Sequence, residues 1–201
     1  MEQPAFDRNY MEVIQEMPNS IYEYQDYLAL QERKIYFNTE VSSSIIADVV
    51  YWIHKWNEDD DKLNLTANQR KPITIYINSP GGEMISGFAA IDSIKQSKTK
   101  VITVGVGMCA SMGALLLIAG HERRAYKNTV ILLHDGAMAL QSSSKKAKNT
   151  MDFYSRLDER VKNYVVSNSN ISEDLYTEKE DEEWYIFADD GIELGLVDQI
   201  L

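Results

Sequence analysis

Cysteine is nearly absent. Cys109 is the only one in 201 residues, so no internal disulfide can form and the chain fits a reducing compartment. Positive charge is scarce: 20 Lys and Arg against 31 Asp and Glu leave a net charge of -11. No basic face is offered to phosphates, which argues against nucleic-acid partners. The densest basic stretch, Lys145-Lys146-Ala147-Lys148, sits among acidic neighbours and reads as a solvated helix face. Long hydrophobic runs are missing too. The longest, 114–119, falls far short of the roughly 20 residues that cross a bilayer, so no membrane partner is expected. The first nine residues lack the apolar core of a signal peptide, and the expected location is the cytoplasm. A Gly-x-x-x-x-Gly-Lys-Ser/Thr loop for nucleotides is absent, as is any internal repeat.

What remains is enough for one sizeable core. Residues 1–28 are polar and tyrosine-rich with little periodicity, and are expected as an N-terminal arm or loop (1–30). Residues 34–37 read as a short strand. Residues 42–56 carry Ile45, Ile46, Val49, Val50 and Ile53, a helical stripe behind serine caps. Residues 57–71, opening on Asn57-Glu58-Asp59-Asp60-Asp61, are expected as an exposed, extended loop. Strands are then expected at 73–77, 101–106 and 130–133, with helices at 84–94 and 110–119 between them. A long amphipathic helix at 142–166 carries Met151, Tyr154, Leu157, Val161 and Tyr164 at spacings of three or four. A short helix at 189–194 and a strand at 196–201 complete the chain. Strands alternating with helices define the α/β class in one domain.

Three features fall at strand ends, where α/β proteins place their sites. Gly81-Gly82, after Pro80, permit a sharp turn with N–H groups left open to a ligand; a plain tight turn is the alternative. Ser111 stands at a strand-to-helix junction, where helix N–H groups would stabilise an oxyanion; it could equally cap the helix. The stretch does not match the Gly-x-Ser-x-Gly turn of α/β-hydrolases. His134 directly follows an apolar strand. His54, among Tyr51, Trp52 and Trp56, and His121, beside Glu122, Arg123 and Arg124, are expected to be structural or exposed. A serine and a histidine at neighbouring strand ends carry more weight than either alone, because the hydroxyl needs a base to take its proton.

In order and spacing, Asn78-Ser79-Pro80-Gly81-Gly82, Met108-Cys109-Ala110-Ser111-Met112-Gly113-Ala114, Leu133-His134 and Gly195-Leu196-Val197-Asp198 resemble the proteolytic subunit family of the ATP-dependent Clp protease. The resemblance runs from about Glu32 to the C-terminus. It implies a Clp/crotonase-like fold of repeated β-β-α units over 31–201, with a protruding handle at 136–170 that joins ring to ring. It further implies Ser111 as nucleophile, His134 as general base, and the Gly82 and Met112 N–H groups as oxyanion hole, with no metal or organic cofactor. Polypeptide would be the substrate, cut as an acyl-enzyme in the chamber of a heptameric ring or stacked double heptamer. An ATP-driven AAA+ unfoldase would feed that chamber.

The third triad member is an aspartate in the family. Counting back from Gly195 without a gap reaches Glu183, before Trp184-Tyr185. A small register shift would select Asp181 or Glu182 instead, and the absence of a working third member is the remaining reading. Asp135 is disfavoured because adjacent strand residues point to opposite faces. Glu182 stands where the family usually has an arginine that pairs the rings, and Asp135-Gly136-Ala137-Met138 replaces the usual Gln-Pro and glycine-rich strand. Two further readings therefore stand beside an active peptidase: a catalytically silent ring subunit that binds or regulates a peptidase, and a crotonase-like enzyme acting on an acyl-CoA.

Overall fold

The seven-residue run Ile73–Ser79 buries every second side chain, as a strand packed on one face and more open on the other does. The computed structural model describes residues 20–135 and 144–201. Its elements are α1 (Ile21–Gln31), β1 (Lys34–Phe37), α2 (Ser43–Lys62), β2 (Ile73–Ser79), α3 (Met84–Gln96), β3 (Val101–Ala110), α4 (Met112–Ile118), β4 (Glu122–Ala125), β5 (Val130–Leu133), α5 (Ser144–Ser167), α6 (Glu173–Lys179), β6 (Trp184–Phe187), α7 (Ala188–Glu193) and β7 (Gln199–Ile200). The mixed α/β class read from the sequence is the class observed.

Strands β1-β2-β3-β4-β7 pair in that order, all parallel. The ten-residue β3 serves two neighbours in turn. Ile102 to Gly105 pair with β4, whereas Met108 to Ala110 pair with β5. Between them Gly107 takes φ +73°, and the Met108 N–H donates to Asn78 Oδ1 at 3.1 Å. A side chain at Gly107 would meet that oxygen at 3.0 Å, so glycine is what lets the strand turn. β6 runs antiparallel to β5.

Every residue of α4 is buried, which explains its run of small and aliphatic residues. Leu115, Leu116, Leu117 and Ile118 each contribute about 1.5–3 kcal/mol by leaving water. The helix α5 buries Val165 in this core and Leu157 further along, and the Tyr164 hydroxyl donates to Leu115 O at 3.3 Å. Met151 and Phe153, earlier in α5, are exposed.

Three expectations are corrected. Of the arm at 1–30, residues 21–30 belong to α1, capped by Ser20, whose Oγ accepts from Glu23 N–H at 3.2 Å; none of its side chains is buried. Residues 1–19 lie outside the described residues, as does the stretch 136–143 that opens the expected handle. The loop expected at 57–71 is helical up to Lys62, with a 3-10 turn at Ala67–Gln69. The buried stripe Ile46, Val49, Ile53 and Trp56 continues at helical spacing into Asp60, which is only 1% exposed. Arg33 grips that carboxylate with two nitrogens at 2.7 and 2.8 Å, and the Thr99 hydroxyl donates to it at 2.8 Å. Finally, Glu122–Ala125 and Trp184–Phe187, where the sequence pattern predicts no strand, form β4 and β6. Among the described residues no helix is long and apolar enough to cross a membrane.

Candidate active site

Ser111 links β3 to α4 with φ +52° and ψ -122°, a backbone state that costs a non-glycine residue on the order of 1–3 kcal/mol. Its surroundings hold it there. The Ser111 N–H donates to Leu132 O at 2.8 Å, and its carbonyl accepts from Ala114 and Leu115 at 2.9 and 3.2 Å. Gly81 lies against it so closely that a β-carbon there would sit 2.7 Å from Ser111 Cβ and 2.8 Å from Ala110 O. Gly113 leaves room for Ser79 in the same way, its missing β-carbon falling 2.9 Å from Ser79 O. The Ser111 side chain makes no capping bond to α4, so capping does not account for a serine here.

Gly82, at φ +142°, forms a parallel bridge to Val41. Gly81 O accepts from Val41 N–H at 2.7 Å, and Glu83 N–H donates to Val41 O at 2.9 Å. Both bonds are made by its neighbours, so the Gly82 N–H takes no part in the bridge. Any β-carbon on Gly82 would fall 2.3 Å from Val41 O. Met112 opens α4, where a first-turn N–H has no intrahelical acceptor.

His134 follows the last residue of β5, its side chain 23% exposed, with Nδ1 3.3 Å from Glu183 Oε1. The register explains the match. Val130 pairs with Phe187 and Leu133 with Trp184, so the next pair along is His134 with Glu183, on one face of the ribbon. Glu183 is 57% exposed, and its Oε2 accepts from the Tyr185 hydroxyl at 3.3 Å. Glu182 instead pairs with Lys179 at 3.1 Å. Asp181 and Asp135 line the cavity described next.

A cavity of about 800 Å3 has Ser111, Gly82, Met112, Leu115 and His134 in its lining. No hydrogen bond joins Ser111 to His134 among the described residues; the two share the cavity. The other histidines lie apart from it. His54 is on the exposed face of α2, and His121 Nδ1 accepts from Val101 N–H at 2.9 Å, its pKa lowered by burial. Cys109, two residues from Ser111, is no rival nucleophile: burial pushes its thiol up to about 12. Among the described residues no group of histidine, cysteine and carboxylate side chains could hold a metal ion.

Two parts of this site escaped the sequence reading. Val41, which pins Gly82, comes from a segment without any motif. The α5 and α6 lining, including Asp158 and Tyr176, belongs to helices whose packing partners are set only by tertiary structure. The signal available was Asp158 beside the inward stripe of Leu157 and Val161.

A family comparison matches residues 18–201 to Clp protease. Among curated proteins, the chain is similar to the ATP-dependent Clp protease proteolytic subunit 3 of Parasynechococcus marenigrum (strain WH8102), at 29% identity over 176 residues covering 85% of this chain and 82% of the relative. The subunit 3 of Synechococcus sp. (strain CC9605) is 31% identical over the same shares. Subunit 2 of Tropheryma whipplei (strain Twist) is 27% identical, covering 85% of this chain and 92% of that protein.

Proposed function

The chain belongs to the Clp protease family, and on that footing we propose that it is a serine endopeptidase. It would cut unfolded proteins or peptides inside an oligomeric ring, a heptamer or stacked pair fed by an ATP-driven unfoldase. The observation that carries the reading is Ser111: an uncapped hydroxyl on a strained turn, opening on the same cavity as His134, whose Nδ1 is 3.3 Å from Glu183.

In this mechanism Ser111 Oγ attacks the scissile carbonyl carbon while His134 takes the hydroxyl proton on Nε2. Glu183 holds the Nδ1–H and stabilises the imidazolium that forms. The carbonyl oxygen becomes an oxyanion, met in this mechanism by the N–H groups of Gly82 and Met112, backbone donors that need no side-chain rearrangement. His134 returns the proton to the departing amine, leaving an ester on Ser111. Water, deprotonated by His134, then hydrolyses that ester and restores the hydroxyl.

A silent ring subunit remains the competing reading, supported by the exposure of Glu183 and the missing Ser111–His134 bond. A fluorogenic peptide assay run with a size measurement and fluorophosphonate labelling separates the two. The peptidase reading expects turnover and labelling on Ser111. An assembled ring with neither result establishes the silent subunit. Glu183→Gln keeps the hydrogen-bonding shape but removes the charge facing His134. It is expected to lower kcat by up to about 10^4-fold with KM little changed, as measured by steady-state peptide hydrolysis.

A further inference from the structure

Besides its apolar wall, the cavity at Ser111 is lined by six carboxylates: Glu83 before α3, Asp135 after β5, Asp158 and Glu159 on α5, and Glu180 and Asp181 after α6. Asp135 lies near enough to Asp158 to act on it. Burial raises the pKa of Asp158, and the charge of Asp135 raises it further. The Tyr176 hydroxyl is pushed up to about 12, first by burial and then by Glu180, Asp158 and Asp135. None of the six carboxylates has a cationic partner among the described residues. The lysine in the lining, Lys162, is taken up by Glu173 at 3.3 Å and by the Thr177 hydroxyl at 2.8 Å. The stretch 136–143 contains no Lys or Arg to neutralise them. Nor do the carboxylates converge as a metal site would, since no metal-holding group exists among the described residues. They are spread beside Leu157, Val161 and Val165, which supply an apolar surface in the same cavity.

An apolar wall next to unpaired negative charge matches one kind of ligand, a long aliphatic stem ending in a cation. We propose that this cavity receives a lysine or arginine side chain of the polypeptide cut at Ser111. Its stem would lie along Leu157 and Val161, and its charge would be met by Asp158 and Asp135. The inference rests on the serine-peptidase reading and adds the substrate class. An acidic side chain would be repelled by the same six groups, so selection acts in both directions.

The test uses the full chain and fluorogenic peptides that differ only in the residue before the scissile bond: Lys, Arg, norleucine or Glu. Norleucine keeps the stem and drops the charge. Lys and Arg peptides are expected to exceed norleucine by about tenfold in kcat/KM, with Glu the poorest. In Asp158→Asn the Lys-to-norleucine ratio is expected to fall several-fold, and Asp158→Lys should shift preference toward Glu. Turnover of norleucine at or above the rate of Lys overturns the inference and leaves the peptidase reading intact. Absence of turnover for every peptide, with no fluorophosphonate labelling, overturns both. The unsubstituted chain alone decides the first comparison, so the outcome does not depend on a variant folding.

Discussion

Ser111→Ala is expected to reduce peptide hydrolysis by at least about 10^4-fold and to abolish fluorophosphonate labelling. In the proposed mechanism the size of the effect follows from the chemistry: without Oγ no acyl-enzyme forms, and His134, Glu183 and the two N–H donors have nothing to activate. Folding should be unaffected, because the hydroxyl caps nothing and alanine meets the same backbone strain as serine at φ +52°. Ser111→Gly makes the complementary point. It is expected to be as inactive as Ser111→Ala yet more stable by about 1 kcal/mol, since glycine tolerates positive φ without strain. Residual hydrolysis within tenfold of the parent chain would place the nucleophile elsewhere.

Asp60→Asn is expected to cost about 3 kcal/mol of stability, read as a lower urea midpoint and a Tm lower by about 2–4 °C for each kcal/mol. The substitution removes the charge that faces the Arg33 guanidinium, itself largely buried, while changing little in shape. The loss should also depend on pH. Hydrogen bonds from Arg33 hold the Asp60 carboxyl below the usual carboxylate range, against the opposing effect of burial, with Thr99 adding to the lowering. The folded chain therefore binds this proton less tightly than the unfolded chain. Its contribution is complete above the ordinary carboxylate pKa of about 4 and fades as pH falls below it. The gap between parent and variant should accordingly be widest near neutrality and narrow in acid. A gap that stays constant from neutral pH to about pH 3 would refute the charge-based account.

The strands that build the floor of the site were readable because their residues alternate or cluster in burial: 73–77, 101–106 and 130–133 each lie within or match an observed strand. The carboxylate beside His134 was reached by counting, and its geometry follows from the antiparallel register. What misled the eye was charge. Five polar and acidic residues from Asn57 to Asp61 look like a solvated loop, yet Asp60 continues the inward stripe of Ile53 and Trp56 because Arg33, 27 residues earlier, neutralises it. That partnership is tertiary and leaves no local trace. The strand Glu122–Ala125 failed to register for a related reason: its charged residues find Lys100 and Asp198 outside the strand. The cavity lining of α5 and α6 depends on how two amphipathic helices dock, which periodicity alone does not specify.

The branching of β3 has a consequence for local opening. This strand is bonded to β2, β4 and β5 along its length, whereas among the described residues β6 pairs with β5 alone. Amides in the β3 interior can exchange with solvent only when most of the sheet comes apart, while those of β6 can exchange through a limited fraying event. Ser111, the proposed nucleophile, thus follows the most widely bonded strand among the described residues, and Glu183, the proposed partner of His134, precedes one of the least bonded. Loss of activity under mild denaturant would then precede loss of the fold, with His134 losing Glu183 before Ser111 leaves its turn.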